Sequence, residues 1–157
     1  MPLSQLLFSF SGRLNRKPYW LTTLAMIAIL IVVAVVLIIV VAGGAAMSGN
    51  SGPAAGLAGL GLGLILLMIV IYIPLLWVGL ALGAKRLHDR NKSAWWLVLF
   101  WLVPAILQGV GEQIGTAGIV LSIGAFAISI WGLVELGFLR GTVGPNQYGP
   151  DPLEGQF

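Results

Sequence analysis

The stretch from Tyr19 to Ala42, YWLTTLAMIAILIVVAVVLIIVVA, contains no charged residue. Fifteen Leu, Ile or Val side chains lie between Leu21 and Val41. At about −0.3 to −0.6 kcal/mol each in mid-bilayer, they favour insertion by roughly −4 to −9 kcal/mol. About 20 apolar residues in a helix cross roughly 30 Å of hydrocarbon. The β-branched run leans toward strand in water, but an isolated strand cannot satisfy its backbone in lipid, so helix is expected. The run is also much longer than the roughly 7–15-residue apolar core of a secretory signal. It is therefore read as a membrane span and not as a cleaved leader.

The rest of the chain agrees. Of 157 residues, 59% are hydrophobic and 8% charged, against roughly 25% charged in a soluble domain. So few charges cannot cover a water-facing surface, and a single integral-membrane domain over residues 1–157 is expected. Further spans are predicted at about 57–82, 94–110 and 117–139, after the first at about 19–42. Pro74 lies inside the second and predicts a kink. The third is short, about 25 Å at 1.5 Å per residue, and reads as a span more readily than as a re-entrant segment. Glu135 is the one charge in the fourth. Ahead of the first span, Leu3, Leu6, Leu7 and Phe10 recur at helical spacing, which predicts a short interfacial helix. The fold class is thus all-α and polytopic, with four transmembrane helices.

Charge sets the orientation. Arg13, Arg16 and Lys17 precede span one; Lys85, Arg86, Arg90 and Lys92 lie between spans two and three; Arg140 follows span four. These are all eight Lys and Arg residues. The loop from Gly43 to Gly56 is glycine-rich, uncharged and read as flexible, and the turn near Gly111 has only Glu112. The positive-inside rule puts both termini, with a tail at 140–157, in the cytoplasm. Tyr19, Trp20, Trp95 and Trp96 mark the cytoplasmic starts of spans one and three. Several glycine pairs match G-x-x-x-G, and Gly79–Gly83 is read as internal packing.

This topology gathers three polar segments on one face: SGRLNRKPYW (Ser11 to Trp20), AKRLHDRNKSAWW (Ala84 to Trp96) and GTVGPNQYGPDP (Gly141 to Pro152). In order they read G-R-x-N-R-x-x-Y-W, K-R-L-H-D-x-x-x-S-x-W-W and G-x-x-G-x-N-x-Y-G-x-D-P. This combination resembles the domain of unknown function 805 family, small bacterial inner-membrane proteins, over nearly the whole chain. The resemblance implies a multi-pass protein of the bacterial inner membrane and implies no reaction. One departure is Asn91 with Lys92, where a glycine-containing turn is common in that family; it bears on the turn geometry alone.

The residues carry their own physical reading. Asp89 falls near a helix C-terminus, where the macrodipole disfavours a negative charge. Arg86 at i−3, Lys85 at i−4, Arg90, or Arg13 or Arg16 from the N-terminal segment would compensate it. Asp89 is therefore expected to be a structural anchor, with Asn15, Ser93, Asn146, Tyr148 and Asp151 in the same role and Ser93 a natural N-cap for span three. The tail is expected to fold back on the basic loop. Glu135 is expected to pair with Lys85 or Arg86. Arg13, Arg16, Arg86 and Arg90 are the candidate specific contacts for a lipid phosphate or an acidic partner segment, the alternative being a device that sets topology and holds the loops to anionic headgroups.

Other chemistry is thin. One histidine and no cysteine leave neither a metal site nor a cofactor to expect. His88, Asp89 and Ser93 form a nominal triad, but neighbours in sequence rarely reach its geometry. No phosphate-binding glycine loop with its lysine is present. The expectation is a non-enzymatic structural or interaction protein whose partners are anionic lipids, a protein partner or further copies of itself, and not nucleic acid. A small transporter or channel subunit acting as an oligomer is the alternative, followed by a lipid-handling enzyme using His88 or Asp89.

Overall fold

A computed structural model describes residues 2–47 and 53–154. The regular structure among them is helical. The short helix α1 (Leu3–Phe8) leads to α2 (Arg16–Met47) and α3 (Pro53–Asp89). Next, a π-helical turn at Val98–Leu102 enters α4 (Val103–Gln113). Then α5 (Gly118–Leu133) runs into a second π-helical turn at Val134–Phe138. No strand occurs among the described residues; the tail has a single bridge between Asn146 and Gly149.

Among the described residues, three segments are long and apolar enough to cross a membrane: Arg16–Gly43, Gly63–Asp89 and Gly115–Phe138. The expected third span is the shorter apolar helix Val98–Gln113, which rises about 24 Å. The expected loop from Gly43 begins as helix, because α2 continues to Met47; residues 48–52 lie outside the described residues. The departure from helical geometry in α3 falls at Gly61 (φ 47, ψ −136), with Pro74 inside the helix beyond it. Glycine adopts a positive φ without a Cβ clash. Proline removes one backbone bond, which a membrane helix tolerates.

The chain forms two compact units: residues 21–77, and residues 1–20 with 78–157. The first is the bulk of α2 with the early part of α3. Many of its described apolar side chains are exposed, with Val32, Ile38 and Val70 each more than 60% exposed. Such surface is a liability in water and the normal state against lipid.

The second unit contains the core. Ala84 and Leu87 of α3 meet Leu97, Phe100 and Leu136. Gly83 is where α3 receives Leu97: a Cβ there would lie 2.7 Å from Leu97 Cδ2. The helices α4 and α5 form an antiparallel hairpin. At one end Gly118 packs on the Gly111 backbone, and at the other Gly132 packs under Phe100, where a Cβ would come within 2.9 Å. Trp131 closes edge-on against Phe100 (5.3 Å between ring centroids) and Trp96 (5.7 Å). A glycine pair at one end brings the backbones close and Gly132 at the other makes room for the Phe100 ring, as dispersion-driven packing in lipid favours.

Candidate functional site

The second unit brings the three polar segments together around Asp89, the last residue of α3. Its carboxylate is held from two sides. Arg86, one turn back, places Nη1 2.7 Å from Oδ2, and Arg13 donates from Nε to Oδ1 at 3.1 Å. All three residues are buried. Arg13 also donates to the tail, to the Gly144 and Thr142 carbonyls at 2.6 Å each and to the Gly149 carbonyl at 3.3 Å. Thr142 answers with its own N–H and hydroxyl on the Asp89 carbonyl, at 2.8 and 3.0 Å. One carboxylate thus joins the N-terminal segment, α3 and the tail. Gly141 lies so close that a Cβ there would collide with the Asp89 carboxylate.

The other basic residues are drawn to a second problem. The last carbonyls of a helix have no partner in that helix. At the end of α5 these are received by side chains from elsewhere. Arg86 donates to Leu136 (Nε, 2.6 Å) and, through Nη2, to Leu139. Trp20 donates to Gly137 at 3.0 Å, Arg16 to Phe138 at 3.1 Å and Arg90 to Arg140 at 2.8 Å. Cations are favourable at this negative end of the helix dipole. Lys85 serves α1 in the same way, donating to the Gln5 and Leu6 carbonyls.

Glu135 is paired with Arg90 (2.8 Å) and Lys92 (2.7 Å), not with the expected Lys85 or Arg86. Lys85 is turned toward α1, and Arg86 is occupied by Asp89 and the α5 carbonyls. Lys92 also lies over the Trp96 ring, 4.9 Å from its centroid. Lys85 and Arg90, proposed as neighbours for Asp89, are likewise engaged elsewhere.

The tail lies on the loop. The Asn146 amide donates to the His88 carbonyl and to the Thr142 hydroxyl, each at 2.9 Å. Tyr148 stacks on His88 with ring centroids 3.9 Å apart and planes 6° from parallel. Asp151 accepts the N–H groups of Gly144 (2.9 Å) and Leu153 (3.0 Å). These two donors, Leu153 first, hold its carboxyl below the usual carboxylate range. Asn15 accepts the Lys17 N–H at 3.4 Å at the start of α2, and Ser93 Oγ accepts the Trp95 N–H at 3.4 Å at the entry to the third apolar helix. Asn91 takes φ 57, a left-handed conformation that asparagine tolerates better than most residues. The departure from the family pattern at this turn therefore keeps a residue able to make it.

The four arginines expected to contact an anion divide. Arg13 and Arg86 are buried, and each uses Nε, Nη1 and Nη2 on Asp89 and backbone carbonyls, so both guanidinium forks are engaged within the protein. Arg90 is half-buried on Glu135. Arg16 is exposed, with Lys17 beside it. Sequence reasoning missed Lys85 and Trp20 as helix-capping donors, because nothing local marks a side chain that serves a carbonyl 80 or 117 positions away.

The nominal triad is not assembled: His88 Nδ1 faces the Gly12 carbonyl at 3.3 Å, while Asp89 is taken by arginines. Among the described residues, no group of three His, Asp or Glu side chains is placed to hold a metal ion. The space beside Asp89 is about 10 Å³, no larger than one water site. A larger apolar groove of about 480 Å³ runs past His88, Tyr148, Trp95 and Trp101.

The comparisons with known proteins point the same way. A family model described as a protein of unknown function (DUF805) matches residues 7–150. The chain is 30% identical over 167 aligned positions to the uncharacterized protein YiiR of Escherichia coli strain K12, covering all of this chain and 94% of that one. It is 29% identical over 143 positions to the inner membrane protein YhaH of the same strain, covering 91% and 86%. No solved structure matches. With several helices able to cross a bilayer, the chain is a multi-pass protein of the bacterial inner membrane. The three polar motifs, now joined through one buried aspartate, make it a member of the DUF805 family of proteins of unknown function.

Proposed function

We propose that this protein is a non-enzymatic structural and interaction protein that presents a pre-assembled basic plate to the anionic cytoplasmic leaflet. In this reading the chain is one membrane domain that crosses four times, with Val98–Gln113 as the third crossing. The N-terminal segment, the loop after α3 and the tail share the cytoplasmic side. The carrying observation is the internal engagement of Arg13, Lys85, Arg86, Arg90 and Lys92 on carboxylates and helix-end carbonyls. The residues that look most like a reaction centre are the ones that join the segments. Arg16, Lys17 and Arg140 are exposed at the edge. Each such cation near an anionic leaflet contributes about 1 kcal/mol.

The antiparallel hairpin supports the fourth crossing, since it returns the chain to the side from which the third helix set out. Its short rise is matched by local thinning of the bilayer. Reporter fusions test the topology: one after Leu153 should read cytoplasmic and one inserted at residues 48–52 extracytoplasmic. An extracytoplasmic reading after Leu153 would overturn it. Reconstituted vesicles should show no more ion or solute flux than empty ones; excess flux would favour a small transporter subunit.

A further inference from the structure

We infer that the cleft between the start of α2 and the end of the α5 segment is a phosphate-headgroup site for one anionic phospholipid. It has a volume of about 350 Å³ and is lined by Arg16, Lys17, Trp20, Gly137 and Phe138. The inference deepens the proposed function and rests on its view of the plate as a lipid-facing surface.

Charge complementarity identifies the occupant. Two cations line the cleft and no carboxylate does. The acidic groups nearest this face are held outside the cleft: Asp89 by Arg13 and Arg86, Glu135 by Arg90 and Lys92, and Asp151 by the Gly144 and Leu153 N–H groups. Arg16 gives one N–H to the Phe138 carbonyl, which fixes the guanidinium while leaving further donors for a phosphate oxygen. Lys17 is exposed beside it.

Depth identifies the lipid. Residues 16 and 138 are the terminal residues of two membrane-crossing segments, so the cations sit at headgroup level. The wall below them is apolar. Phe138 is 57% exposed and packs edge-on to Trp20 at 5.6 Å, giving an acyl chain a surface to lie on. The Trp20 indole N–H is held by the Gly137 carbonyl, and the Gly137 position has no room for a side chain: a Cβ would lie 2.7 Å from the Trp20 ring. The cleft is therefore shaped by a glycine and an aromatic pair, and charged at its mouth.

The test uses the full chain reconstituted in phosphatidylcholine nanodiscs holding a minor share of phosphatidylglycerol. Native mass spectrometry after detergent release reads the retained lipid. Retained lipid should be enriched in phosphatidylglycerol. Arg16→Gln or Lys17→Gln should reduce that enrichment about fivefold, and the double variant about twenty-five-fold. Glu112→Gln, an exposed position outside the cleft and outside the basic plate, should leave it within about twofold. Lys17→Gln guards against misfolding, because it removes an exposed cation without touching the Asp89 network. Unchanged enrichment in the double variant would overturn the inference. So would displacement of the lipid by inorganic phosphate at matched ionic strength, which would make the cleft a site for a soluble anion. A failed topology shows in the reporter fusions instead, independently of the lipid retained.

Discussion

Arg86 and Asp89 form a buried ion pair at 2.7 Å, one turn apart on α3, and the same guanidinium receives the end of α5 through the Leu136 and Leu139 carbonyls. Charge pairing and helix capping are thus the work of one side chain. Breaking such a pair leaves an uncompensated buried charge, which costs more than the pair itself contributes.

Asp89→Asn is therefore expected to destabilise the protein by about 3 kcal/mol, because it strands both Arg13 and Arg86. Thermal unfolding in detergent measures this. Arg86→Lys should be destabilised as well, since a single ammonium cannot reach Asp89 and two carbonyls in the guanidinium geometry. Wild-type unfolding temperatures for both would refute the anchor.

Gly141→Ala should lose about 1–3 kcal/mol, because its Cβ meets the Asp89 carboxylate. Gly124→Ala is the control. No atom lies within 4 Å of a Cβ there, so in this helix alanine should be neutral or slightly stabilising. Equal unfolding temperatures for the two variants would contradict the close approach.

Tyr148→Ala should loosen the tail by removing its stack on His88, a contact of about 0.5–1.5 kcal/mol. Limited proteolysis should cut within residues 142–154 several-fold faster. Tyr148→Phe keeps the ring and should behave as wild type. Equal cutting of all three proteins would show that the stack does not hold the tail.

Acid should release the same segment through Asp151. Its carboxyl is held below the ordinary range by the Leu153 and Gly144 N–H groups, so the folded state favours the charged form. That contribution is present above the ordinary carboxylate pKa and is lost as pH falls through the depressed folded-state value. Protease sensitivity of the tail should therefore rise at the acid end, below about pH 4. Asp151→Asn should be sensitive already at neutral pH and should lack this rise.

The gathering of the basic residues shows where local reasoning ends. That a helix-terminal aspartate among cations needs compensation follows from the helix dipole, and Arg86 at i−3 was the partner spacing predicted. Arg13 was one of two distant options, and only the fold selects it. Glu135 meets Arg90 and Lys92 in place of the expected Lys85 or Arg86, because those two are drawn away by open carbonyls on α1 and at the end of α5.

The amino-acid sequence by itself determined the solvent and the helices. An uncharged run such as Leu21 to Val41 can satisfy its backbone in lipid only as a helix, and the eight Lys and Arg fall at three places between the apolar runs: before the first, after the second and after the last. These are properties of composition and spacing, summed residue by residue. The tertiary structure alone decided which donor meets which acceptor: Lys85 on Leu6, Trp20 on Gly137, Arg90 and Lys92 on Glu135. Each of those choices depends on where a helix end with unpaired carbonyls comes to lie, and that is set by the packing of Gly83, Gly118 and Gly132 against their neighbours, not by any pattern local to the cations.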